Sequence, residues 1–180
     1  ISVDPGFGTF DWLTTKGLVI NDKRTGGNDM GFSSVLESVA DSLKSAFPNM
    51  GAIPLEIIDS AFWQEKGVLS VAGTRYPFPL CEGVDVDGNP VKARFDVRDK
   101  IAYCTRNAIS ALKNSVREGA DVELILVMGG PHEVYMDELR AAYPDHKIVV
   151  LDNSLTAVCE GIYIAAMQYF SLKQKQKGAA

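Results

Sequence analysis

Near its start the chain carries the segment DPGFGTFD, residues 4–11, whose residue types could bind phosphate. Gly6 and Gly8 allow the backbone to turn sharply and to approach a bulky ligand closely. Successive exposed amides in such a turn form a concave anion site, and the Thr9 hydroxyl adds a further polar group. The Asp4 carboxylate, at a strand end, can hold magnesium, usually through water. The segment indicates a site for nucleotide phosphates. For a lone Gly-x-Gly, however, a hairpin whose glycines only make the turn is the favoured interpretation, because the pattern is common.

A second candidate is the run Gly26-Gly27-Asn28-Asp29, which precedes an amphipathic segment. We expect Asn28 or Asp29 to be the N-cap of a helix, accepting hydrogen bonds from its first amides. The free amides and the positive end of the helix dipole could receive an anion or a hydroxylated ligand. Simple helix capping explains this run without a ligand, and for the run alone it is the favoured interpretation.

A third candidate, Gly129-Gly130-Pro131, follows a nearly continuous apolar run at residues 122–127. Sheets of α/β proteins usually bind ligands just past the carboxyl ends of their strands. Small residues there leave room for a flat base or a ribose, and Pro131 suits a first helical turn, where its missing amide costs nothing. A tight strand-to-helix turn would account for the same residues.

Strands and helices must position these segments, and the hydrophobic pattern predicts them. Residues 1–23 are typical of strands, with a hairpin turn at Lys16-Gly17, and a helix should follow with apolar residues at helical spacing until Pro48. The middle of the chain is weaker, with a short helix at residues 55–64 and strands near 68–71 and 92–95. The last part alternates helix and strand, which predicts an α/β layer with parallel strands. Its elements are helices at 96–118, 132–142 and from about 154, and strands at 122–127 and 147–151. In the last helix Leu155, Val158, Ile162 and Ala165 should face inward.

Composition excludes several classes of function. The 180 residues are 46% hydrophobic and 23% charged with a formal net charge of −5, which sets aside disordered, collagen-like and coiled-coil chains. The mild acidity argues against direct nucleic-acid binding, and no apolar run reaches the roughly 18 residues of a membrane span. Three scattered cysteines favour a reducing cytoplasm over a disulfide or zinc framework. The chain begins at Ile1 without Met, which suggests a piece of a longer protein.

Taken in order, the three candidate segments resemble the second half of the actin-type ATPases, the family of actin, the heat-shock chaperone ATPases, the sugar kinases and the bacterial actin-like filament proteins. The shared pattern is an Asp-x-Gly-x-Gly-Thr-x-Asp hairpin, a Gly-Gly-x-Asp run and a late strand followed by Gly-Gly and a helix. The run GGNDM at residues 26–30 is similar to both the chaperone and the plasmid-segregation branches. The stretch LDNSLTAVCEG at residues 151–161 resembles the closing helix of ParM/StbA-type plasmid-segregation proteins. The resemblance spans nearly the whole chain apart from its middle.

The resemblance implies an α/β fold, an RNase-H-like actin-type ATPase lobe with a mixed sheet and flanking helices. Residues 1–50 and 95–180 would form the lobe, and residues 51–94 a small inserted subdomain. Members of the family clamp the nucleotide between two similar halves, yet no second Asp-x-Gly hairpin follows residue 11. The stretch DVDG at residues 85–88 is better interpreted as a turn, because Asn89-Pro90 follows. A single lobe should bind nucleotide weakly and hydrolyse it very slowly, since phosphoryl transfer needs charge neutralisation from several sides.

Carried over residue by residue, the resemblance implies a role for each candidate. Asp4 would hold Mg²⁺ and act in catalysis, and Asp11 falls where relatives orient the attacking water. Phe7 stands where some relatives have a polar residue, so it can offer only its amide, and Pro131 replaces a frequent Gly or Thr beside the base. The other implied contacts to ATP or ADP are to the phosphates from Gly6, Phe7, Gly8 and Thr9, to the ribose from Gly26 and Gly27, and to the adenosine from Gly129 and Gly130.

The function that the resemblance implies is that of a cytoplasmic ATPase whose hydrolysis of ATP switches a filament between states, with plasmid partition as the purpose. Its partners would be a missing N-terminal lobe of the same protein, further copies of itself and a DNA-binding adaptor protein. Two alternatives stay open at this point. One is a small-molecule kinase or chaperone-like ATPase on the same scaffold, and the other is a protein-interaction module without catalysis.

Overall fold

A five-stranded mixed sheet organises the chain, of which the computed structural model describes residues 1–178, with side chains up to residue 171. Its strands are β1 (Ser2–Pro5), β2 (Phe10–Leu13), β5 (Gly26–Asn28), β10 (Ile125–Val127) and β11 (Ile148–Val150). Their order across the sheet is β11-β10-β1-β2-β5. Strands β1, β10 and β11 run parallel, whereas β2 is antiparallel to both β1 and β5. The predicted mixed sheet with parallel late strands is therefore confirmed.

Between β2 and β5 the chain forms a separate small hairpin of β3 (Thr15–Lys16) and β4 (Val19–Ile20), followed by a short 3-10 helix, Asp22–Arg24. The turn occupies Gly17-Leu18, one residue later than predicted. Gly17 has φ +60°, a conformation that favours glycine. The hairpin projects from the sheet and pairs only with itself within the described residues.

Helices flank the sheet, and their apolar stripes form one core with it. The helices other than the last are α1 (Phe32–Leu43), α2 (Leu55–Phe62), α3 (Arg98–Val116) and α4 (His132–Ala142). Along α3, Ala108, Leu112 and Val116 are buried, and Ile101 near the start of the helix is half-buried. The three buried residues share one helix face because they are spaced by four.

The start of α1 differs from the prediction. Asn28 lies in β5 and its side-chain oxygen accepts the amide of Met30, so neither it nor Asp29 is the N-cap, which is Gly31. The first two amides of α1 donate instead to carbonyl oxygens of the β1–β2 loop, Phe32 to Gly6 at 3.0 Å and Ser33 to Phe7 at 2.8 Å. The loop thus satisfies donors that a helix otherwise leaves unpaired.

The middle of the chain packs on α1 through aromatic rings. Its strands are β6 (Val68–Val71), β7 (Thr74–Pro77) and β8 (Leu80–Cys81), the last paired with β9 (Phe95–Asp96). The rings of Phe32 and Phe62 lie 5.2 Å apart, and those of Phe47 and Phe95 lie 6.1 Å apart. The division into residues 1–50 with 95–180 and an inserted 51–94 stays a prediction.

The last helix, α5 (Ala157–Gly178), does not bury the predicted stripe. Leu155 lies just before it, and Leu155, Val158 and Ile162 are all exposed, as is Ala165. The expectation that these residues face inward is wrong because no part of the described chain covers the helix. Among residues 1–178, no helix combines the length and apolar character that crossing a membrane requires.

Candidate functional site

The β1–β2 hairpin sets two carboxylates opposite each other. Its register pairs Asp4 with Asp11, and an amide-to-carbonyl bond from Gly6 to Thr9 of 2.8 Å closes the loop. Thr9 donates its hydroxyl to Asp11 Oδ2 at 2.6 Å. Partial burial, and then the negative charge of Asp11, raise the pKa of Asp4 above its usual range. In the part of the chain that the structure describes, the Asp4 carboxylate accepts no hydrogen bond, so its charge lacks a protein partner.

The loop between the two strands aims its amides away from α1. The carbonyl groups of Gly6 and Phe7 are held by the first amides of α1. In a planar trans peptide the N–H points opposite to the C=O of the same unit, and these peptides are trans. The N–H groups of Phe7 and Gly8 therefore point away from the helix. Neither they nor the amide of Thr9 donate a hydrogen bond within residues 1–178, and all three residues are exposed.

The other Asp-Gly stretch, at residues 85–88, shows the opposite arrangement. Asp85 Oδ1 accepts the amides of Asp87 at 3.0 Å and of Asn89 at 2.8 Å. These bonds also hold the pKa of Asp85 below its usual range. The stretch is thus a turn, as the sequence predicted, and its own aspartate holds the amides of Asp87 and Asn89. In the first hairpin the amides of residues 7–9 stay available.

Gly129 brings the end of β10 against the end of β1. A Cβ at this position would lie 2.3 Å from the carbonyl oxygen of Pro5 and 2.6 Å from Asp4 Oδ1, and its φ is +90°. Its amide donates to the carbonyl of Ser154 at 2.8 Å, and a nitrogen of His132 lies 2.8 Å from its own oxygen. Only glycine fits at position 129. The next residue, Gly130, is exposed, and a Cβ there would lie 3.1 Å from the Leu155 side chain.

Gly26 and Gly27 lie in edge strand β5 and not at a helix N-terminus, which corrects that part of the prediction. A Cβ on Gly26 would lie 2.8 Å from the ring of Trp12, and one on Gly27 would overlap the Asp11 carboxylate. The two glycines therefore make room for side chains of β2. Gly27 is nevertheless near Asp4, because it pairs with Asp11, which in turn pairs with Asp4.

One residue of this site was not identified from the sequence. A Cβ on Gly31 would lie 2.4 Å from backbone atoms of Gly8 and Thr9. Gly31 thus allows the β1–β2 loop to sit directly on the start of α1. The local signal, a glycine before an apolar helical pattern, was present in the sequence.

The carboxylates of Asp4 and Asp11 could supply only part of the ligands that a cation needs. No group of three or more His, Cys, Asp or Glu side chains suited to a metal occurs among the described residues. Mg²⁺ commonly binds one or two carboxylates and completes its shell with water and substrate phosphates. The unpaired, partly buried Asp4 beside free amides fits that mode of binding.

Comparison with known proteins identifies the fold. No protein-family model matches the sequence, and no curated protein matches it either. Among solved structures, an archaeal actin homologue, Ta0583, is similar with a TM-score of 0.70 at 14% identity, covering 93% of this chain and 48% of its own. A non-polymerisable quadruple mutant of pCBH ParM gives 0.67 at 15% identity, with 93% and 46% covered. The Alp12 filament gives 0.58 at 16% identity, with 94% and 47% covered.

These similarities show that the chain has an actin-like, ParM-type fold. The identities are too low to show more than the fold. The chain spans less than half the length of these solved chains. Ta0583 has also been solved in complex with ADP, a structure that resembles this chain with a TM-score of 0.60 at 14% identity, covering 84% of this chain and 43% of that one.

Proposed function

We propose that this chain is a nucleotide-binding lobe of an actin-like ATPase that assembles into filaments. The observation that carries the proposal is the β1–β2 loop, whose carbonyls are tied to α1 and whose free amides point the other way. Backbone amides in such a loop are donors for phosphate oxygens, and they need no basic surface. This agrees with a formal net charge of −5.

In the proposed complex the amides of Phe7, Gly8 and Thr9 contact the β- and γ-phosphates. The Thr9 hydroxyl, which donates to Asp11 Oδ2 in the free chain, would exchange that bond for one to a phosphate oxygen. The Gly6 amide is already used to close the loop, so Gly6 contributes through its shape. Asp4 contacts Mg²⁺, and the positive charge of the ion neutralises this otherwise unpaired carboxylate. Asp11 lies across the hairpin from Asp4, where it could orient a water molecule for attack on the γ-phosphate.

The base and sugar are proposed to lie along the same end of the sheet. Gly129 and Gly130 would face the adenosine, and the ADP bound to the archaeal homologue supports a nucleotide in this fold. The role of Gly26 and Gly27 beside the ribose stays a prediction, since in this chain they also accommodate Trp12 and Asp11.

The whole protein is proposed to act in plasmid partition in the cytoplasm, together with an N-terminal lobe and a DNA-binding adaptor. Helix α5 supports a second lobe, because its apolar side chains are exposed on several sides and need a cover. The exposed side chains include Val158, Ile162, Tyr163, Ile164, Met167 and Phe170. An Asp-x-Gly hairpin encoded about one domain length before Ile1 would support this arrangement. An unrelated fold there would favour an interaction module instead.

Two substitutions of one residue test the phosphate site. Gly8→Pro removes a single amide donor, whereas Gly8→Ala keeps it, and a Cβ at Gly8 meets nothing within 4 Å. A hydrogen bond to a charged group is worth about 1.5–3 kcal/mol, so Gly8→Pro should weaken Mg-ATP binding by about tenfold to a hundredfold, measured by isothermal titration. Gly8→Ala should bind as the parent does. Equal binding by all three proteins, each with unchanged thermal unfolding, would contradict the proposed role of the loop.

A kinase or chaperone-like ATPase on the same fold is the second candidate, favoured by the same site. Consumption of ATP that depends on an added hydroxyl compound would favour the kinase, and an ATP-dependent polymer that sediments would favour the filament protein. Absence of Mg-ATP binding, even after fusion to the preceding lobe, would exclude both and leave a protein-interaction module.

A further inference from the structure

His132, the first residue of α4, follows directly after the Gly129-Gly130-Pro131 turn. One of its ring nitrogens, Nδ1, lies 2.8 Å from the carbonyl oxygen of Gly129. A carbonyl oxygen can only accept a hydrogen bond, so Nδ1 carries the hydrogen and donates it. In a neutral imidazole the second nitrogen then has a free lone pair, which makes Nε2 of His132 a hydrogen-bond acceptor.

This acceptor is available to a ligand. Among residues 1–171, whose side chains the structure describes, Nε2 of His132 has no hydrogen-bond partner, and it is not buried. The neighbouring carboxylate does not use it either, because Glu133 accepts from Lys66 Nζ at 2.9 Å. Gly129 thus orients the half-buried ring, and the opposite nitrogen is accessible from outside.

The ring lies close to the proposed phosphate and metal site. The Gly129 backbone that it binds lies against β1, where a Cβ on Gly129 would be 2.6 Å from Asp4 Oδ1. Standard bond lengths therefore place His132 Nδ1 within about 10 Å of the Asp4 carboxylate. A nucleotide whose phosphates occupy the β1–β2 loop is long enough to bring its base to this ring.

A surface that suits a flat base lies next to the ring. Gly130 is exposed and has no side chain. A Cβ there would be 3.1 Å from the side chain of Leu155, which is 78% exposed. An exposed leucine beside bare backbone forms an apolar platform, and ligand sites commonly combine such a surface with a few fixed polar groups. The fixed polar group beside this platform is the imidazole of His132.

We propose that His132 Nε2 accepts a hydrogen bond from the amino group of adenine and so makes the site select adenine over guanine nucleotides. Adenine carries an amino group, a donor, at the position where guanine carries a carbonyl oxygen, an acceptor. Guanine would set two acceptors against each other, because the ring hydrogen is on Nδ1. The proposal rests on the proposed nucleotide site and names the base that it selects. One unmet acceptor should give about a tenfold to hundredfold preference for ATP.

The affinities of the 180-residue chain for three triphosphates test this preference. With Mg²⁺ present, ATP should bind more tightly than GTP by the factor given above. Purine riboside triphosphate, which has neither the amino group nor the carbonyl oxygen, should bind with an intermediate affinity. An NMR titration measures all three affinities, because it detects weak binding. Equal binding of ATP and GTP would overturn this proposal and leave the phosphate site intact. Absence of binding by all three, even after fusion to the preceding lobe, would refute the nucleotide site itself.

Substitutions of His132 separate base selection from a structural role. His132→Phe keeps a ring but has no acceptor, so ATP binding should weaken to the level of GTP binding. His132→Gln has an amide that can turn either its oxygen or its nitrogen towards the base, so it should retain ATP binding and improve GTP binding. Glu133→Gln, at the next position, is the matched control and should keep the preference of the parent. An unchanged ratio of the two affinities in a folded His132→Phe protein would contradict the proposal.

The ring nitrogens of His132 give a readout that a purely structural histidine would not show. NMR of an isotope-labelled chain at mildly alkaline pH, where imidazole is neutral, reports which nitrogen carries the hydrogen. His132→Gln identifies the signals, since the chain has only two histidines. Mg-ATP, but not Mg-GTP, should shift the Nε2 signal. A hydrogen on Nε2 in the free chain, or equal shifts with both nucleotides, would refute the proposed contact with adenine.

Discussion

Replacing Asp4 by Asn should stabilise the protein without nucleotide and remove its response to Mg-ATP. In the free chain the Asp4 carboxylate is partly buried, lies opposite Asp11 and accepts no hydrogen bond from the described residues. Like charges directly opposite each other on paired strands cost about 0.2–1 kcal/mol. Asp4→Asn should therefore raise the free energy of unfolding by roughly 0.5–1 kcal/mol, which is about 1–4 °C in melting temperature for a chain of this size.

The stability that Asp4→Asn gains over the parent should increase with pH. The pKa of Asp4 is raised in the folded state above the usual value of 3.8, by burial first and by the charge of Asp11 second. The folded protein therefore loses stability relative to the variant as the pH rises from about 3.8 through the folded pKa. The difference between variant and parent should be small below pH 3.8 and full at pH 7, and salt should reduce it.

Thermal unfolding of four proteins measures the effect, with and without excess Mg-ATP. They are the parent, Asp4→Asn, Asp11→Asn and the double variant, and the benefit of Asp4→Asn should shrink when Asp11 is already neutral. Asp137→Asn, at an exposed position on α4, is the matched control and should change stability by less than about 0.5 kcal/mol. Saturating nucleotide should stabilise the parent but not Asp4→Asn, which reverses their order. An Asp4→Asn protein less stable than the parent without nucleotide would refute the reasoning, because the carboxylate would then have a structural partner.

Two further predictions concern other parts of the molecule. Gly129→Ala should cost at least about 1–3 kcal/mol in urea unfolding, because φ is +90° and the new Cβ would overlap Pro5 and Asp4; an unchanged midpoint would contradict this. Hydrogen bonds from Arg98 lower the pKa of Asp96 from 3.8 to about 2, so its favourable contribution is complete above pH 4 and is lost as the pH falls through 2. A carboxyl titration followed by NMR should show this midpoint, and Arg98→Gln should return it towards 3.8.

The parts of the fold that the sequence predicted have local signals. Gly6 and Gly8 mark a turn between β-prone residues, and the apolar run before Gly129 marks a buried strand. Parallel pairing followed from the alternation of strand and helix. The carboxylate pair also had a local origin, since the four-residue loop fixes the register that sets Asp4 opposite Asp11.

The failed predictions depended on distant contacts. Asn28 and Asp29 are good capping residues, but the first amides of α1 donate to the carbonyls of Gly6 and Phe7, about 25 residues earlier in the chain. The sequence next to the helix gives no signal of such a distant partner. In α5 the apolar spacing showed which residues avoid water, but it could not show whether this chain contains a surface to cover them.

The site combines unpaired backbone amides with an unpaired carboxylate, and two features of the fold explain this combination. By fixing the carbonyls of Gly6 and Phe7, the helix leaves the amides of Phe7 and Gly8 without a partner, while the hairpin register leaves the Asp4 charge without one. The free amides and the Asp4 carboxylate do not bond to each other, because the strand register holds Asp4 opposite Asp11 and not in the loop. A ligand that presents anionic oxygens and a divalent cation together would satisfy both at once. Phosphate alone would meet the amides but repel the two aspartates, so we expect the affinity for ATP to depend strongly on Mg²⁺.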